Sequence, residues 1–137
     1  MTLFVDSSMW YAAVDGADRS HRRASEILAG GEPLLTSDQV LAETWSLIRR
    51  RIHHDAAERF WEALRAGVAG IEPVGVSDLE AAWAIGRLFP DQRFSLVDRT
   101  SFAVIERLGV TRAASFDAHF AVYRYGRARD RAFEIVR

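Results

Sequence analysis

The sequence predicts an α/β domain built on a parallel sheet. Short β-favouring runs alternate with amphipathic segments along the chain, the pattern of a sheet covered by helices on both faces. The first run, Leu3-Phe4-Val5, is unbroken in its apolar character, as strands buried on both faces are. It stops at Asp6-Ser7-Ser8, an acid and two hydroxyls. Open α/β sheets bind their ligands just there, outside the carboxyl ends of the strands.

Each element has its own signal. After the first strand, Ser8 to Val14 reads as a short helix broken at Asp15-Gly16-Ala17-Asp18, and His21 to Leu28 as a second, stopped by Gly30-Gly31. Leu34-Leu35-Thr36 is a second strand. Thr36-Ser37-Asp38-Gln39 resembles a capping box and opens a helix to about Ile52, with Val40, Leu41, Thr44, Trp45, Ile48 and Ile52 on one face. Asp55 to Ala66 is a further helix. Ile71 to Val74 is a third strand, which Pro73 restricts to an edge or an early end. Ser77-Asp78-Leu79-Glu80 opens a helix that Phe89-Pro90-Asp91 terminates. A helix from Val97 to Leu108, a strand from Thr111 to Ala114, a short helix from Asp117 to Tyr123 and a last strand, Phe133 to Val136, complete the chain. Trp10, Trp45, Trp61 and Trp83 are expected in the core.

Composition narrows the chemistry. The 137 residues suit one domain with a proper core, spanning 1–137. All 18 basic residues are arginine, so P-loop, Schiff-base and general-base lysines are excluded. No cysteine is present, which excludes disulfides, thiolate metal sites and cysteine nucleophiles. A net charge of −1 gives no global pull toward nucleic acid. No apolar run approaches the roughly 20 residues of a membrane span, and no cleavable leader is evident; a cytoplasmic protein without membrane contact is expected.

Four acids stand out. Asp6 and Asp117 each follow a strand and precede a helix, positions that also suit N-caps. Glu43 sits at the margin of its helix's apolar stripe. Asp98 lies in a first turn, where the helix dipole favours acids, yet its carboxylate points toward the packed side. Carboxylates gathered at one sheet edge would repel each other and raise one another's pKa values. A hard divalent cation such as Mg²⁺ offsets that repulsion through oxygen ligands. Bound there, it would lower the pKa of water and stabilise charge on a phosphoryl oxygen.

In order and spacing, Asp6-Ser7-Ser8, Thr36-Ser37-Asp38-Gln39-Val40-Leu41-Ala42-Glu43, Ser95-Leu96-Val97-Asp98 and Ser115-Phe116-Asp117-Ala118-His119-Phe120 resemble a PIN domain, and more narrowly the VapC-type ribonuclease toxins of bacterial toxin–antitoxin pairs. The resemblance implies a three-layer α/β/α sandwich with a central parallel sheet of four to five strands. It implies that Asp6, Glu43, Asp98 and Asp117 are catalytic, and that Asp6, Asp98 and Asp117 hold Mg²⁺ or Mn²⁺ for RNA cleavage by activated water. Asp6 and Asp98 match the most metal-proximal acids, Glu43 and Asp117 the outer ones, with Ser7 and Ser115 as accessory hydroxyls. Ser115 stands where the family often has threonine, and Arg99 where a small residue is common. A cognate antitoxin, blocking the cleft with a basic side chain, and a homodimer are implied partners. His119 matches a family position but reads as a packing or hydrogen-bonding residue. His53 and His54, adjacent on a helix, diverge, and His21 reads as surface. Asp91 reads as a turn. Arg49-Arg50-Arg51 and Arg124, Arg127, Arg129 and Arg131 are the two basic concentrations.

Two other readings compete. A haloacid-dehalogenase-like phosphatase would use Asp6 as nucleophile, but Ser8 stands where its general acid belongs and its lysine is missing. The other is a catalytically silent PIN-like module. Serine-hydrolase, P-loop and dinucleotide-binding motifs are all lacking.

Overall fold

A computed structural model describes residues 1–137. The elements in order are β1 (Leu3–Val5), α1 (Ser7–Val14), α2 (His21–Leu28), β2 (Leu34–Ser37), α3 (Asp38–Arg51), α4 (His54–Arg65), β3 (Gly70–Glu72), α5 (Val76–Leu88), α6 (Leu96–Arg107), β4 (Arg112–Ala114), α7 (Ala118–Val122) and β5 (Glu134–Val136). The five strands form one parallel sheet in the order β3-β2-β1-β4-β5. The unbroken apolar run is its central strand, with Leu3, Phe4 and Val5 fully buried. The strand beside Pro73 lies at an edge, where a missing N–H costs no ladder bond.

With the strand order reversing direction at β1 and parallel crossovers right-handed as a rule, α1–α4 fall on one face and α5–α7 on the other. Packing follows that division: α1 meets α2 and α3, α3 meets α4, and α6 meets α5 and α7, with α3 also touching α6. On the first face the Trp10 ring stands edge-on to Phe60. On the second, Phe102 stacks on Tyr123 at 4.3 Å and meets Phe120 and Phe94 edge-on. The fully buried Tyr123 keeps its hydroxyl paired by donating to Glu106. No helix is long and apolar enough to cross a membrane.

Three expectations need correction. The cap of α3 is Ser37, whose Oγ accepts from Val40 N, not Thr36. Thr36 is fully buried; its hydroxyl donates to Val5 O and accepts from Trp10 Nε1, so tertiary packing has claimed the local capping group. The helix opened by Ser77 starts earlier, at Val76 after Gly75, whose N–H donates to Asp78. Asp78 also receives Arg107 from α6 in a two-point ion pair, which pins α5 to α6. Of the tryptophans Trp10 is buried and Trp45 partly so, but Trp61 and Trp83 are 44% and 67% exposed. Helical spacing identified an apolar face without saying whether another element of the chain covers it.

Candidate active site

The chain leaves β1 toward β2 on one side and leaves β4 toward β5 on the other. Between the carboxyl ends of β1 and β4 the connections therefore part, and a crevice opens there by topology alone. Asp6 follows β1 directly and its N–H extends the ladder to Ala114 O. Ser115 and Asp117 follow β4, Glu43 comes from α3, and Asp98 from the first turn of α6. Asp6, Ser7, Glu43, Asp98, Asp117 and His119 all line one cleft of about 520 Å³. Ser115 lies fully buried behind it, with its hydroxyl on Asp6.

Asp6 is the deepest of the acids, 3% exposed. Its Oδ2 accepts from Ser8 Oγ and Ser115 Oγ, both at 2.9 Å, as well as capping α1 through Ser8 N. Burial pushes its pKa up to about 6; the hydrogen bonds from Ser8, Ser115 and Ser7 pull the other way and the Asp98 charge adds a little to the rise. Ser7 joins two acids, since its Oγ donates to Glu43 Oε1 and stands 3.4 Å from Asp6 Oδ1. Ser115 links Asp6 to a third, donating to Asp6 while accepting the N–H of Asp117.

Asp98 is held by a reciprocal cap. Its N–H donates to Ser95 Oγ and its Oδ2 accepts from Ser95 N. The same Oδ2 receives His119 Nδ1 at 3.0 Å, so both bonds fall on one oxygen and Oδ1 has no protein partner. Asp117 likewise uses only Oδ1, accepting from His119 N as the cap of α7. Ligand atoms of Asp98, Asp117 and His119 lie within 4.8 Å of one another. Asp6 shares the cleft but stands outside that tight trio.

The donor set fits a hard divalent cation. Asp98 and Asp117 each keep one carboxylate oxygen without a protein partner in the cleft that the buried Asp6 also lines, and among the lining groups five carboxylates (Asp6, Asp18, Glu43, Asp98, Asp117) outnumber three arginines.

His119 does pack and hydrogen-bond, standing edge-on to Phe94, but it also lines the cleft; only its place two residues after Asp117 hinted at that. His53 caps α4 and His54 lies beside Glu58, so the pair diverges. His21 is half-buried, tied through Nδ1 to Ala12 O. Arg99 turns away from the cleft: its guanidinium reaches Phe94 O and Ala82 O across the α5–α6 contact. Gly86 leaves it the room, since a Cβ there would fall 2.1 Å from Arg99 Nη1. Arg19 and Arg93 line the cleft and carried no local signal in the sequence.

The molecule is an open parallel α/β domain with an acidic cleft at its switch point. The chain belongs to the PIN domain family, whose model matches residues 3–125. It is 36% identical over 120 residues to the 23S rRNA-specific endonuclease VapC20 of Mycobacterium tuberculosis, covering 87% of this chain and 92% of the relative. The crystal structure of that Sarcin-Ricin loop cleaving toxin superposes with a TM-score of 0.82, covering 88% of this chain and 93% of the other. Ribonuclease VapC26 of the same organism is 26% identical over 124 residues, 89% of this chain and 92% of the relative. A toxin–antitoxin complex from Klebsiella pneumoniae shares the fold at 15% identity and a TM-score of 0.65, covering 85% and 87% of the two chains.

Proposed function

We propose that this protein is a metal-dependent endoribonuclease, the toxin of a toxin–antitoxin pair, cutting RNA with Mg²⁺ or Mn²⁺ held by Asp6, Asp98 and Asp117. One observation carries the reading: carboxylates from four separate elements face a single cleft, and the most buried of them is left without a cation partner. When bound, a divalent cation supplies a Lewis acid for the phosphate oxygens and lowers the pKa of water. The chain's own groups do the rest. Ser8 and Ser115 fix the Asp6 carboxylate in one orientation. Ser95 and His119 anchor Asp98 through Oδ2 and leave Oδ1 without a protein partner, free to bind a cation. Glu43, oriented by the Ser7 hydroxyl, is the carboxylate placed to take a proton from an attacking water.

The identity to a 23S rRNA-specific endonuclease makes the sarcin–ricin loop the first RNA to test. The resemblance to toxin–antitoxin complexes supports a neutralising antitoxin as partner. The phosphatase alternative is disfavoured by the site itself: Ser8 donates its hydroxyl to Asp6 and offers no acid for a leaving group.

Cleavage of a synthetic sarcin–ricin hairpin and of total RNA, with Mg²⁺, Mn²⁺ or EDTA, tests the proposal beside Asp6→Asn and Asp98→Asn. Cleavage should require metal and vanish in both variants. Millimolar metal should raise the melting temperature of the wild type, by mass action on the native state, and raise that of Asp98→Asn less. Undiminished cleavage in either variant removes that residue from catalysis.

A further inference from the structure

Three arginines, Arg19, Arg51 and Arg93, are set apart from the other basic side chains by lining the cleft. Arg107 and Arg112 are committed to ion pairs with carboxylates, and Arg23 lies beside Glu26. Of the basic runs conspicuous in the sequence, Arg49 lies over Trp45, Arg131 over Tyr125, and Arg124 binds the last carbonyls of α7. Only Arg51 of those runs reaches the cleft. Arg19, Arg51 and Arg93 are exposed and have no ion-pair partner, although five carboxylates share their cleft.

Their placement is two-sided. Arg19 comes from the α1–α2 turn and Arg51 from the last turn of α3, both on the face covered by α1–α4. Arg93 comes from the loop between α5 and α6, on the other face, two residues before the Ser95 cap that holds Asp98. Arg51 is also propped: its guanidinium lies 5.4 Å from the centre of the Tyr11 ring. That ring is 8% exposed, and its hydroxyl donates to Asp15 at 2.7 Å. A guanidinium held on a fixed ring loses less freedom on binding an anion.

We propose that Arg19 and Arg51 on one wall and Arg93 on the other bind the phosphates flanking the scissile bond, so that the RNA backbone crosses the cleft from the α1–α2 turn to the α5–α6 loop. This rests on the ribonuclease reading and adds the path of the strand. A polyanion approaching a group of carboxylates needs cations where its outer phosphates fall, beyond the reach of an ion held at the centre. Unpaired guanidinium groups on both lips meet that need, and their fork suits phosphate oxygens.

The test is fluorescence anisotropy with a fluorescein-labelled single-stranded RNA 20-mer in EDTA, so that binding is read without cleavage. The proteins are wild type, Arg19→Gln, Arg51→Gln, Arg93→Gln, and Arg127→Gln as a control outside the cleft. Each cleft variant should bind about three- to tenfold more weakly at about 50 mM salt. Each should also flatten the slope of log affinity against log salt by about 0.7, as loss of one phosphate contact to a single strand does. With metal, the same variants should raise KM for RNA and leave kcat within about twofold. Arg127→Gln should match wild type. If wild type cleaves RNA while Arg51→Gln and Arg93→Gln keep its affinity and salt slope, the proposed path is wrong and the ribonuclease reading survives. If wild type neither binds nor cleaves RNA, both fall. A loss confined to Arg19 and Arg51, with Arg93→Gln unchanged, overturns the crossing of the cleft.

Discussion

Replacing Asp6 with asparagine is expected to end activity and, in the absence of metal, to make the protein harder to unfold at neutral pH. The carboxyl is 3% exposed, and burial pushes its pKa from 3.8 up to about 6. A carboxyl that holds its proton more tightly in the folded state is tolerated there while protonated and penalised once ionised. Below about pH 4 both states carry the proton and the penalty is absent. It grows as the pH rises to about 6 and is complete above that. A rise of this size corresponds to about 3 kcal/mol. Asparagine carries no charge and escapes it, and its carbonyl can still accept from the Ser8 and Ser115 hydroxyls. Its amide hydrogens, lacking acceptors there, return part of the gain, leaving a net stabilisation of about 1–3 kcal/mol, or on the order of 5–10 °C in Tm. Urea unfolding in EDTA at about pH 4 and about pH 7.5 reads the effect directly. The variant should be level with wild type or slightly weaker at the lower pH and clearly more stable at the higher. Saturating Mg²⁺ should narrow the gap, because it stabilises the wild type more. A variant less stable than wild type at about pH 7.5 in EDTA, or a gap of equal size at both pH values, would refute the claim that an ionised Asp6 destabilises the metal-free fold.

Two further outcomes probe the scaffold. Asp78→Ala removes the acceptor for both Gly75 N and Arg107, and should cost about 1–3 kcal/mol, less than a wholly buried pair because Arg107 is partly exposed. The Arg107 guanidinium holds the Asp78 carboxyl below its ordinary value, so this contribution is present above about pH 4 and is lost as pH falls through the folded-state pKa; acid unfolding should begin at higher pH in the variant. Phe102→Ala opens a cavity under the Tyr123 ring and should destabilise by about 3–5 kcal/mol in chemical denaturation, with His119 and Asp98 loosened as Phe94 loses its neighbour. A loss under about 1 kcal/mol would show that the aromatic cluster repacks.

Much of this protein is legible along the chain because it is decided by neighbours. Apolar runs of strand length, helical spacing and glycine stops depend on a few consecutive residues, and they located every strand and helix to within a few positions. The acids at the ends of β1 and β4 were legible for the same reason: a residue that ends a strand in an open α/β sheet lies at its mouth. Glu43 and Asp98 stood out by their positions on their helices, and the family resemblance gave them roles, but their place in the cleft depends on how α3 and α6 dock.

What only the tertiary structure decided are the quantities that depend on residues far apart in sequence. Thr36 had the spacing of a helix cap, but Trp10 and the Val5 carbonyl took its hydroxyl, and the cap passed to Ser37. Trp61 and Trp83 had the spacing of core residues, but the packing of this chain leaves both well exposed. Arg19, Arg51 and Arg93 lie on three separate connections and share a cleft only because the crossovers bring those connections to one edge of the sheet. The raised pKa of Asp6 is of the same kind. Local sequence set its carboxyl at the end of a strand, but desolvation came from α1, β4 and the residues after it closing around that strand end, a geometry encoded in no single stretch of the chain.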